Sequence, residues 1–398
     1  MEKTIATTIN KNKTIVAIKK LKLLDNIQFI YELALARLEL QSFNQELKVA
    51  NDFREFEILN VNNLEELKSR LAYFKTINGT YTDYYYLQKF NQTKSVNQFL
   101  THWIYPYKGK FHPQMIRALL NITKIKNGET LLDPFVGSGT AILEAQLLGI
   151  NGIGIDISPL CVLISKVKTE SINVINEIKN YKDFYLYKRK GKESDDEKVR
   201  NFYKVAEMMA HSDTSRRGRV FESSYISDAL KMIASVEDYE KARKQFNLRL
   251  GNTIIIQGDS RKINLKDESI DGIITSPPYS IALNYVVNDA HSLQALGYDL
   301  NKIKEDFIGV RGIGLDKFEL YDEDMKKSYS EMHRVLKKGK YCIVIIGNVT
   351  FQGREIDTAQ NVIKYCEKIG FRTIKKMEKI IYGLYNVMQK EYILTFQK

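Results

Sequence analysis

The sequence predicts an α/β fold in which a mostly parallel sheet carries helices on both faces. After residue 129, short runs of Ile, Val and Leu recur between Gly, Asn, Asp or Ser residues, as is typical of strands buried on both sides. Stretches of helical character separate these runs, and an alternation of strands and helices favours a parallel sheet. The carboxyl ends of the strands should therefore meet at one edge.

Six segments supply the predicted strands, and each is long enough to cross a sheet once. Helices are predicted between them, for example over 141–148 and 357–369. The strand segments are ETLLD (129–133), NGIGIDIS (151–158), NTIIIQGDS (252–260), SIDGIITSPPY (269–279), KYCIVIIGN (340–348) and KEYILTFQ (390–397).

The flanking and inserted segments divide the chain into four parts. All six prolines lie between residues 106 and 278, and leucines recur at near-helical spacing before residue 75, so a helical amino-terminal unit is predicted. Residues 171–250 show no buried strand and are too long for a simple connection. The parts are the helical unit (1–100), the first half of the sheet domain (101–170), an inserted and largely helical subdomain (171–250) and the second half of the sheet domain (251–398).

The composition limits the class of protein. The 398 residues hold 60 Lys and Arg against 48 Asp and Glu, and the net charge of +12 is compatible with a polyanionic partner such as nucleic acid. No apolar run reaches about 18 residues, and the amino terminus lacks the apolar core of a signal peptide, so we expect a cytoplasmic protein with no membrane partner. Three scattered cysteines without a CxxC pair argue against disulfides and a zinc site, and no metal is expected.

A glycine turn follows the first predicted strand, in LLDPFVGSGTAILEA. Gly137 and Gly139 allow a ligand to approach the backbone closely, and the start of the next helix offers N–H groups without partners. The spacing is not that of a dinucleotide site, because Ile142 stands where a third glycine is required. It is not that of a phosphate-binding loop either, since no Gly-Lys pair in the chain precedes Ser or Thr.

Acidic residues end the next two strands. Asp156 follows Gly139 by seventeen residues, at a position where a carboxylate can accept both hydroxyls of a ribose. Asp259 and Ser260 close the third strand at the same predicted edge. Carboxylates there repel phosphates and suit a nucleoside that carries positive charge. The alternative is that these carboxylates cap local turns.

The motifs DPFVGSGT, GIDIS, GDS and SPPY, in this order, resemble those of the S-adenosylmethionine-dependent DNA amino-methyltransferases, in particular the cytosine-N4-specific type. HWIYPYKGKFHPQM (102–115) resembles the segment that precedes the glycine motif in this family, and KEYILTFQK resembles its closing strand. The resemblance covers about 102–170 and 251–398. It implies a Rossmann-like methyltransferase sheet with S-adenosylmethionine as the cofactor.

The resemblance also implies roles for particular positions. Asp156 would hold the ribose, Asp259 would face the adenine amino group, and the glycine turn would line the methionine and adenosine pocket. The residues expected to contact the cofactor are Asp133, Pro134, Phe135, Gly137, Gly139, Thr140, Asp156, Ile157, Asp259, Ser260, Phe111 and His112.

Ser276, Pro277, Pro278 and Tyr279 are the predicted catalytic residues. Two prolines cannot continue a central strand, so the turn is rigid and rich in acceptors. An exocyclic base amine is a poor nucleophile with two hydrogens, which the Ser276 hydroxyl and the Pro277 carbonyl would accept while Tyr279 stacks on the ring. The base would have to leave the duplex to reach this turn. Methylation of a cytosine ring carbon is disfavoured, because no cysteine follows a proline.

Recognition of the nucleic acid is expected in the insertion, where TSRRGRVFES places Arg216, Arg217 and Arg219 around a glycine. Arginine binds phosphates and forms paired hydrogen bonds with guanine. A solvated basic loop is the alternative. The expected partner is double-stranded DNA, and a cognate restriction endonuclease would accompany the chain in a restriction-modification system. The sequence predicts no oligomeric state.

Three functions remain open from the sequence. The first is site-specific DNA methylation, where Ser at the first position of SPPY favours cytosine N4 over adenine N6. The second is methylation of a tRNA or rRNA base amine, since related RNA enzymes combine a similar glycine motif with Asp-Pro-Pro-Tyr. The third is an inactive nucleic-acid-binding subunit, which the intact 133–140 and 276–279 motifs disfavour.

Overall fold

The computed structural model describes residues 18–43, 47–50, 53–59, 63–188, 191–278, 285–312, 314–351, 354–380 and 390–398. These residues form a central seven-stranded sheet, a five-stranded sheet near the amino terminus and a two-stranded ribbon. Within these ranges, no helix is both long and apolar enough to cross a bilayer.

The amino-terminal unit contains an antiparallel sheet, so the prediction of a mostly helical unit is wrong. The strand order is β2-β3-β1-β4-β5. Two signals of a sheet are present in the sequence: Phe56 and Ile58 alternate with less buried residues, and Asn78-Gly79 forms a two-residue hairpin turn with both φ angles positive. The elements are β1 (Ile18–Leu23), α1 (Ile30–Phe43), β2 (Leu47–Ala50), β3 (Glu55–Leu59), α2 (Leu64–Arg70), β4 (Phe74–Ile77), β5 (Thr80–Tyr81) and α3 (Asp83–Leu87).

From residue 113 onward, helices separate most strands of the central sheet, as predicted, and two runs of consecutive helices interrupt this alternation, the first of which contains a 3-10 turn at Ser171–Asn173. In chain order the elements are α4 (Pro113–Ile122), β6 (Thr130–Asp133), α5 (Thr140–Leu147), β7 (Asn151–Asp156), α6 (Pro159–Glu170), α7 (Ile175–Asn180), α8 (Lys182–Tyr187), α9 (Glu197–Arg217), α10 (Phe221–Gln245), β8 (Thr253–Gln257), β9 (Ile270–Thr275), α11 (Tyr285–Asn288), α12 (Ala290–Ala295), α13 (Leu300–Asp306), α14 (Gly314–Val335), β10 (Leu336–Gly347), β11 (Val349–Phe351), β12 (Arg354–Ile356), α15 (Thr358–Lys368), β13 (Arg372–Ile380) and β14 (Lys390–Gln397).

The central sheet is mostly parallel, which confirms the predicted fold class. Its order is β13-β14-β10-β9-β6-β7-β8, and β14 runs antiparallel to both of its neighbours while β10, β9, β6, β7 and β8 pair in parallel. The chain enters the sheet at β6 and builds outward first through β7 and β8, then through β9 and β10. The order therefore reverses between β6 and β9, and ligands of open α/β sheets bind at such a point.

Helices cover both faces of this sheet. Along β6 and β10, adjacent residues point to opposite sides: Leu131 and Ile343 enter one core, whereas Leu132 and Val344 enter another. The first core includes apolar residues of α4, α5 and α6, and the second includes those of α14 and α15. This alternation explains the continuous apolar runs in the sequence.

One predicted strand occupies a different environment from the one expected. TIIIQ was expected to be buried on both sides, but β8 is an edge strand in which Ile254 and Ile256 are 55% and 41% exposed. Ile255 faces the other way and is buried. The apolar run alone does not distinguish an edge strand from a central one.

The insertion is helical in its described part, as predicted, although α9 (Glu197–Arg217) and α10 (Phe221–Gln245) extend beyond the helices that the sequence predicts near 201–211 and over about 226–246. Asp196 caps the start of α9 by accepting from the Lys198 N–H, and Gly218 ends it in the left-handed conformation. Arg216 and Arg217 therefore belong to the last turn of α9 rather than to a loop. Buried residues of α9 and α10, such as Phe202 and Met232, join the core that contains α5 and α6.

Polar contacts connect the amino-terminal unit to the sheet domain. The carboxylate of Glu39, on α1, is fully buried and accepts from the backbone N–H groups of Ala72 and Tyr73 and from the side chain of Asn121 on α4. Asn121 in turn accepts from Arg70. The two regions thus share a buried polar network as well as an apolar core.

Candidate active site

A cleft opens at the carboxyl edge of the sheet, around the ends of β6, β7, β8 and β9. The space within it, counted together with the part open to solvent, is about 960 Å³. All four of the predicted motifs, the glycine turn, GIDIS, GDS and the SPPY turn, contribute residues to its lining. The lining residues are Tyr107, Gly109, Lys110, Phe111, Pro134, Phe135, Val136, Gly137, Ser138, Thr140, Asp156, Ile157, Ser158, Cys161, Gly258, Asp259, Ser260, Ser276, Pro278, Asp289, Leu293, Asp306, Phe307 and Ile308.

The glycine turn is held tightly against α6 and against the segment that precedes α4. Gly139 has φ +77°, and a Cβ at this position would lie 2.9 Å from the Ser165 hydroxyl oxygen. Gly137 has φ +50°, and its Cβ would lie 3.2 Å from the ring of Tyr107. The Ser165 hydroxyl donates to the Gly137 carbonyl at 3.0 Å. Glycine is thus required at Gly139 both for its backbone conformation and for the close approach of α6.

Asp156 lies beside the glycine turn and lines the cleft. Its carboxylate accepts from the backbone N–H groups of Gly137 (2.8 Å) and Ser158 (2.9 Å). Burial raises the pKa of Asp156 to about 6, and the hydrogen bonds from backbone N–H groups oppose this rise. These two backbone hydrogen bonds therefore fix the position of the carboxylate.

Asp133 lies beneath the cleft and is not among its lining residues. It is 1% exposed, and one carboxylate oxygen accepts from the Thr275 hydroxyl (2.6 Å) and the Phe135 N–H (3.2 Å). Its other oxygen has no hydrogen-bond partner among the residues that the structure describes. Burial raises the pKa of Asp133 to about 7. Asp133 thus links the end of β6 to Thr275, the last residue of β9, which directly precedes SPPY.

Asp259 lines the cleft, and its carboxylate also forms a salt bridge with Arg261. The side chain of Arg261 donates to both carboxylate oxygens at 2.9 Å and also reaches Asp324 at 3.0 Å. Burial raises the pKa of Asp259, but the hydrogen bonds and charge of Arg261 outweigh it and lower the pKa overall. The neighbouring Ser260 is buried, with its hydroxyl 2.9 Å from that of Ser328.

The SPPY turn contributes Ser276 and Pro278 to the cleft lining, and Pro277 is buried behind them. Tyr279, the fourth predicted catalytic residue, lies outside the described residues. The turn follows β9 directly, and every residue of β9 is buried. Its position is therefore set by a central strand of the sheet.

The segment before α4 forms another wall. Phe111 and Lys110 line the cleft, and the Lys110 ammonium donates to the His102 carbonyl. Burial lowers the pKa of Lys110 to about 7. His112, which was predicted to contact the cofactor, is not among the lining residues: it precedes Pro113 at the start of α4, and burial lowers its pKa to about 4.

Several lining residues were not predicted from the sequence. Asp289 is the residue before α12, and Leu293 lies within that helix. Phe307 and Ile308 follow α13. A helical spacing of four residues between Asp289 and Leu293 is present in the sequence, but nothing in it shows which element the helix faces. Tyr107, Ser158 and Cys161 were also missed.

The three predicted arginines of the insertion differ in their contacts. Arg217 and Arg219 both pair with Asp213, at 2.9 and 2.6 Å, and their side chains are 56% and 58% exposed. Arg216 instead contacts Asp289 and the backbone beside the cleft.

The residues present fit a nucleoside cofactor with a positive charge. The Thr140 hydroxyl, at the start of α5, is buried in the lining and has no hydrogen-bond partner in the described part of the chain. Two carboxylates, Asp156 and Asp259, stand at the same edge and suit hydroxyl, amino or sulfonium groups rather than phosphates. Phe135, Ile157 and Ile308 add apolar surface for a base.

Comparisons with known proteins agree with this chemistry. Two similar relatives are type II methyltransferases: M.MjaII of Methanocaldococcus jannaschii is 45% identical over 73 residues (18% of this chain, 14% of that protein), and M.BsoBI of Geobacillus stearothermophilus is 39% identical over 97 residues (24% and 18%). A tRNA (guanine(10)-N2)-dimethyltransferase of Methanothermobacter thermautotrophicus is 39% identical over 51 residues (13% and 15%). The chain thus spans less than a fifth of the length of these relatives.

Among solved structures, the rRNA methyltransferase aviRa from Streptomyces viridochromogenes aligns with a TM-score of 0.36 at 12% identity, covering 74% of this chain and 87% of that one. Residues 10–167, from the amino-terminal unit through most of α6, match the model of the N6_N4_Mtase family, which is described as DNA methylase. The chain therefore matches the DNA methylase family over these residues, and its fold is a mixed α/β fold with a mostly parallel central sheet.

Proposed function

We propose that the chain transfers a methyl group from S-adenosylmethionine to an exocyclic amine of a DNA base, namely cytosine N4. One observation carries the proposal: residues of the glycine turn and of the SPPY turn line the same cleft, at the edge where the strand order reverses. The first turn suits a nucleoside and the second an amine. The match of residues 10–167 to the DNA methylase family supports the same reaction.

The residues of the first turn bind and orient the cofactor. Asp156 accepts from the ribose hydroxyls. The backbone N–H groups of Gly137 and Ser158 orient its carboxylate for this contact. The Thr140 hydroxyl, whose oxygen is otherwise unpaired in the described part of the chain, supplies a further donor and acceptor. When bound, the cofactor supplies a methyl group that its positive sulfur already activates. The protein therefore contributes mainly position.

The residues of the second turn orient the amine. The Ser276 hydroxyl and the Pro277 carbonyl accept its two hydrogens, and the nitrogen lone pair is then directed toward the cofactor side of the cleft. Tyr279 is proposed to stack on the base. Such stacking is worth about 1 to 3 kcal/mol, which offsets part of the cost of extruding a base from a duplex.

A covalent enzyme–base intermediate has no suitable nucleophile among the cysteines. Cys161 lines the cleft, but burial raises its pKa well above the usual value, so that the thiol keeps its proton. Cys342 and Cys366 lie in the second core of the sheet. Direct transfer to an amine needs no thiolate, which supports an amine rather than a ring carbon as the acceptor.

Double-stranded DNA is the proposed substrate. Arg217 and Arg219 lie side by side at the end of α9, are more than half exposed and are oriented by Asp213, which suits contacts to the backbone phosphates. The match of residues 10–167 to a family model described as DNA methylase supports DNA as well. The similarity to two type II methyltransferases is the ground on which we propose a cognate restriction endonuclease as the partner.

A second candidate function has a specific observation behind it. The similarity to tRNA (guanine(10)-N2)-dimethyltransferases favours an RNA base amine as the acceptor. The chemistry at the SPPY turn would be the same, because guanine N2 is also an exocyclic amine. Adenine N6 in DNA is the remaining alternative, and serine at position 276 supports cytosine over adenine.

Methyl transfer to defined nucleic acids tests these proposals. The purified chain is incubated with S-adenosylmethionine carrying a labelled methyl group and with duplex DNA, tRNA or rRNA, and the product nucleosides are identified by mass spectrometry. We expect N4-methylcytosine from duplex DNA and much less of it with Ser276→Ala. N6-methyladenine would contradict the choice of base, and a product from tRNA or rRNA alone would contradict the choice of DNA.

A further inference from the structure

Arg216 connects three segments of the chain beside the cleft. It lies in the last turn of α9, and its guanidinium donates to the Asn288 carbonyl at 2.7 Å and to the Asp289 carboxylate at 3.4 Å. Its other terminal nitrogen donates to the Pro106 carbonyl at 3.5 Å. Asn288 and Asp289 follow the SPPY turn, and Pro106 belongs to the wall that precedes α4. The inserted helix thus contacts both walls.

Asp289 is the centre of this group of contacts. Its side chain lines the cleft, and the carboxylate oxygen that faces Arg216 also accepts from the Tyr105 hydroxyl at 3.1 Å. The Tyr105 oxygen lies 2.9 Å from the Ser292 hydroxyl, one turn further along α12. A buried carboxylate requires a nearby cation or several donors, and Arg216 is the cation that pairs with Asp289 in the described part of the chain.

The neighbouring arginines do not share this arrangement. Arg217 and Arg219 pair with Asp213 of their own helix and are more than half exposed, whereas the Arg216 side chain is 29% exposed. A guanidinium can donate to several acceptors in one plane, which a lysine ammonium at the same position cannot reproduce. One arginine cluster therefore contains two kinds of residue: two face the solvent and one faces the cleft wall.

We propose that Arg216 is a positioning residue for methyl transfer, which holds the cleft wall formed by 285–296 in place relative to the wall that precedes α4. The inference rests on the proposed function, since it concerns the geometry of that reaction. Arg216 acts through Asn288 and Asp289 rather than by contact with the reacting atoms. The insertion accordingly has a second role besides contact with nucleic acid: it sets the shape of the site in which the base is held.

Kinetics of three variants separate positioning from binding. We compare Arg216→Met and Arg216→Lys with Arg243→Met, a matched control in which an exposed arginine in the last turn of α10 is replaced. With Arg216→Met, we expect the single-turnover rate of methyl transfer to fall between about 10-fold and 100-fold, because a displacement of about 1 Å is sufficient for such a loss. Cofactor and duplex affinities should stay within about twofold, and Arg216→Lys should recover part of the rate.

Hydrogen exchange gives a readout that does not require activity. Backbone amides of 286–296 should exchange faster in Arg216→Met than in the wild type, and Arg243→Met should leave them unchanged. If the wild type is active and the Arg216→Met variant keeps the wild-type rate or exchange pattern, the inference about Arg216 is overturned, while the proposed function stands. A wild type that methylates no nucleic acid overturns the proposed function and, with it, any role of Arg216 in that reaction.

Discussion

Two carboxylates at the ends of adjacent strands have different environments, since Asp133 is buried and Asp156 is only partly buried. Asp156 accepts from two backbone N–H groups and faces the cleft, whereas Asp133 accepts from Thr275 and lies beneath it. The resemblance of the sequence to a methyltransferase family implies that both residues contact the cofactor. The structure separates a group that is available to a ligand from one that joins two strands.

The first prediction concerns the division of labour between the two turns. Asp156→Ala removes a charged acceptor, so we expect the affinity for S-adenosylmethionine to fall by about 10-fold to 100-fold, which corresponds to the loss of a hydrogen bond to a charged group. Ser276→Ala should keep the cofactor affinity and lose most of the turnover. Isothermal titration with the cofactor, together with a transfer assay, checks both. An equal loss of cofactor affinity in the two variants would contradict the assignment.

The second prediction concerns the hydrogen bond between Asp133 and Thr275. Thr275→Val and Asp133→Asn each weaken it, and because the two side chains are in direct contact, their effects on the free energy of unfolding should not add. We expect a coupling energy of about 1 to 3 kcal/mol in a double-mutant cycle, measured by chemical denaturation. Additive effects would show that the bond does not contribute to stability.

At the scale of elements, local sequence signals predicted most of the sheet domain. The strand that ends at Asp133, the glycine turn and the strand before SPPY each carry their signal within a few residues, and the structure contains all three. The position of β8 at the edge of the sheet depends on which strands pair with it, and the local sequence of β8 does not encode its pairing partners. The same is true of Arg216, whose partners at the cleft lie more than 70 residues away in the sequence.

The amino-terminal unit shows the opposite case, because its sequence contains local signals of a sheet although the leucine spacing and the absence of proline predict helices. The absence of proline is compatible with helices, but a strand interior excludes proline as well. Asn78-Gly79 between β4 and β5 is one of the strongest short-range signals of a hairpin. The alternation around Phe56 and Ile58 points to a sheet for the same region.

The third prediction uses two glycines with the same backbone conformation. Gly139 and Gly128 have φ angles of +77° and +82°, but a Cβ at Gly128 meets no atom within 4 Å, whereas at Gly139 it approaches the Ser165 backbone to 3.1 Å. Gly128→Ala should therefore cost only the backbone strain, roughly 1 to 2 kcal/mol. Gly139→Ala should cost about 1 to 3 kcal/mol more, because α6 must move.

Thermal and chemical denaturation of the two alanine variants measure this difference, and cofactor titration adds a second readout. We expect only Gly139→Ala to weaken cofactor binding, since Gly128 lies at the other edge of the sheet, before β6. Equal destabilisation by the two substitutions would mean that the contact between the glycine turn and α6 can relax without cost.

At the scale of the whole molecule, the buried network around Glu39 connects the amino-terminal unit with α4. Burial raises the pKa of Glu39 to about 7, and the hydrogen bonds from Ala72, Asn121 and Tyr73 oppose this rise. The folded protein therefore keeps a proton on Glu39 up to about pH 7, whereas the unfolded chain loses it near pH 4.5. By linkage, the contribution of Glu39 to stability falls as the pH rises through this window.

The fourth prediction follows from this sign. Glu39→Gln removes the titration, so the free energy of unfolding of the variant should rise relative to the wild type between about pH 4.5 and pH 7, by roughly 3 kcal/mol at most. The relative measure matters, because burial also lowers the pKa of His102 and His112 to about 4 and gives the wild type an opposite slope in the same range. Parallel stability curves for the two proteins would contradict the prediction.

The hydrogen bond between Asp133 and Thr275 has a consequence for how ligands enter and leave. Both turns of the cleft floor are extensions of neighbouring central strands, the part of a protein that opens most rarely. They cannot separate without breaking the sheet. Room for a bulky ligand must therefore come from the rim of the cleft, where α13 has no buried side chain and is the least costly of the described helices to displace.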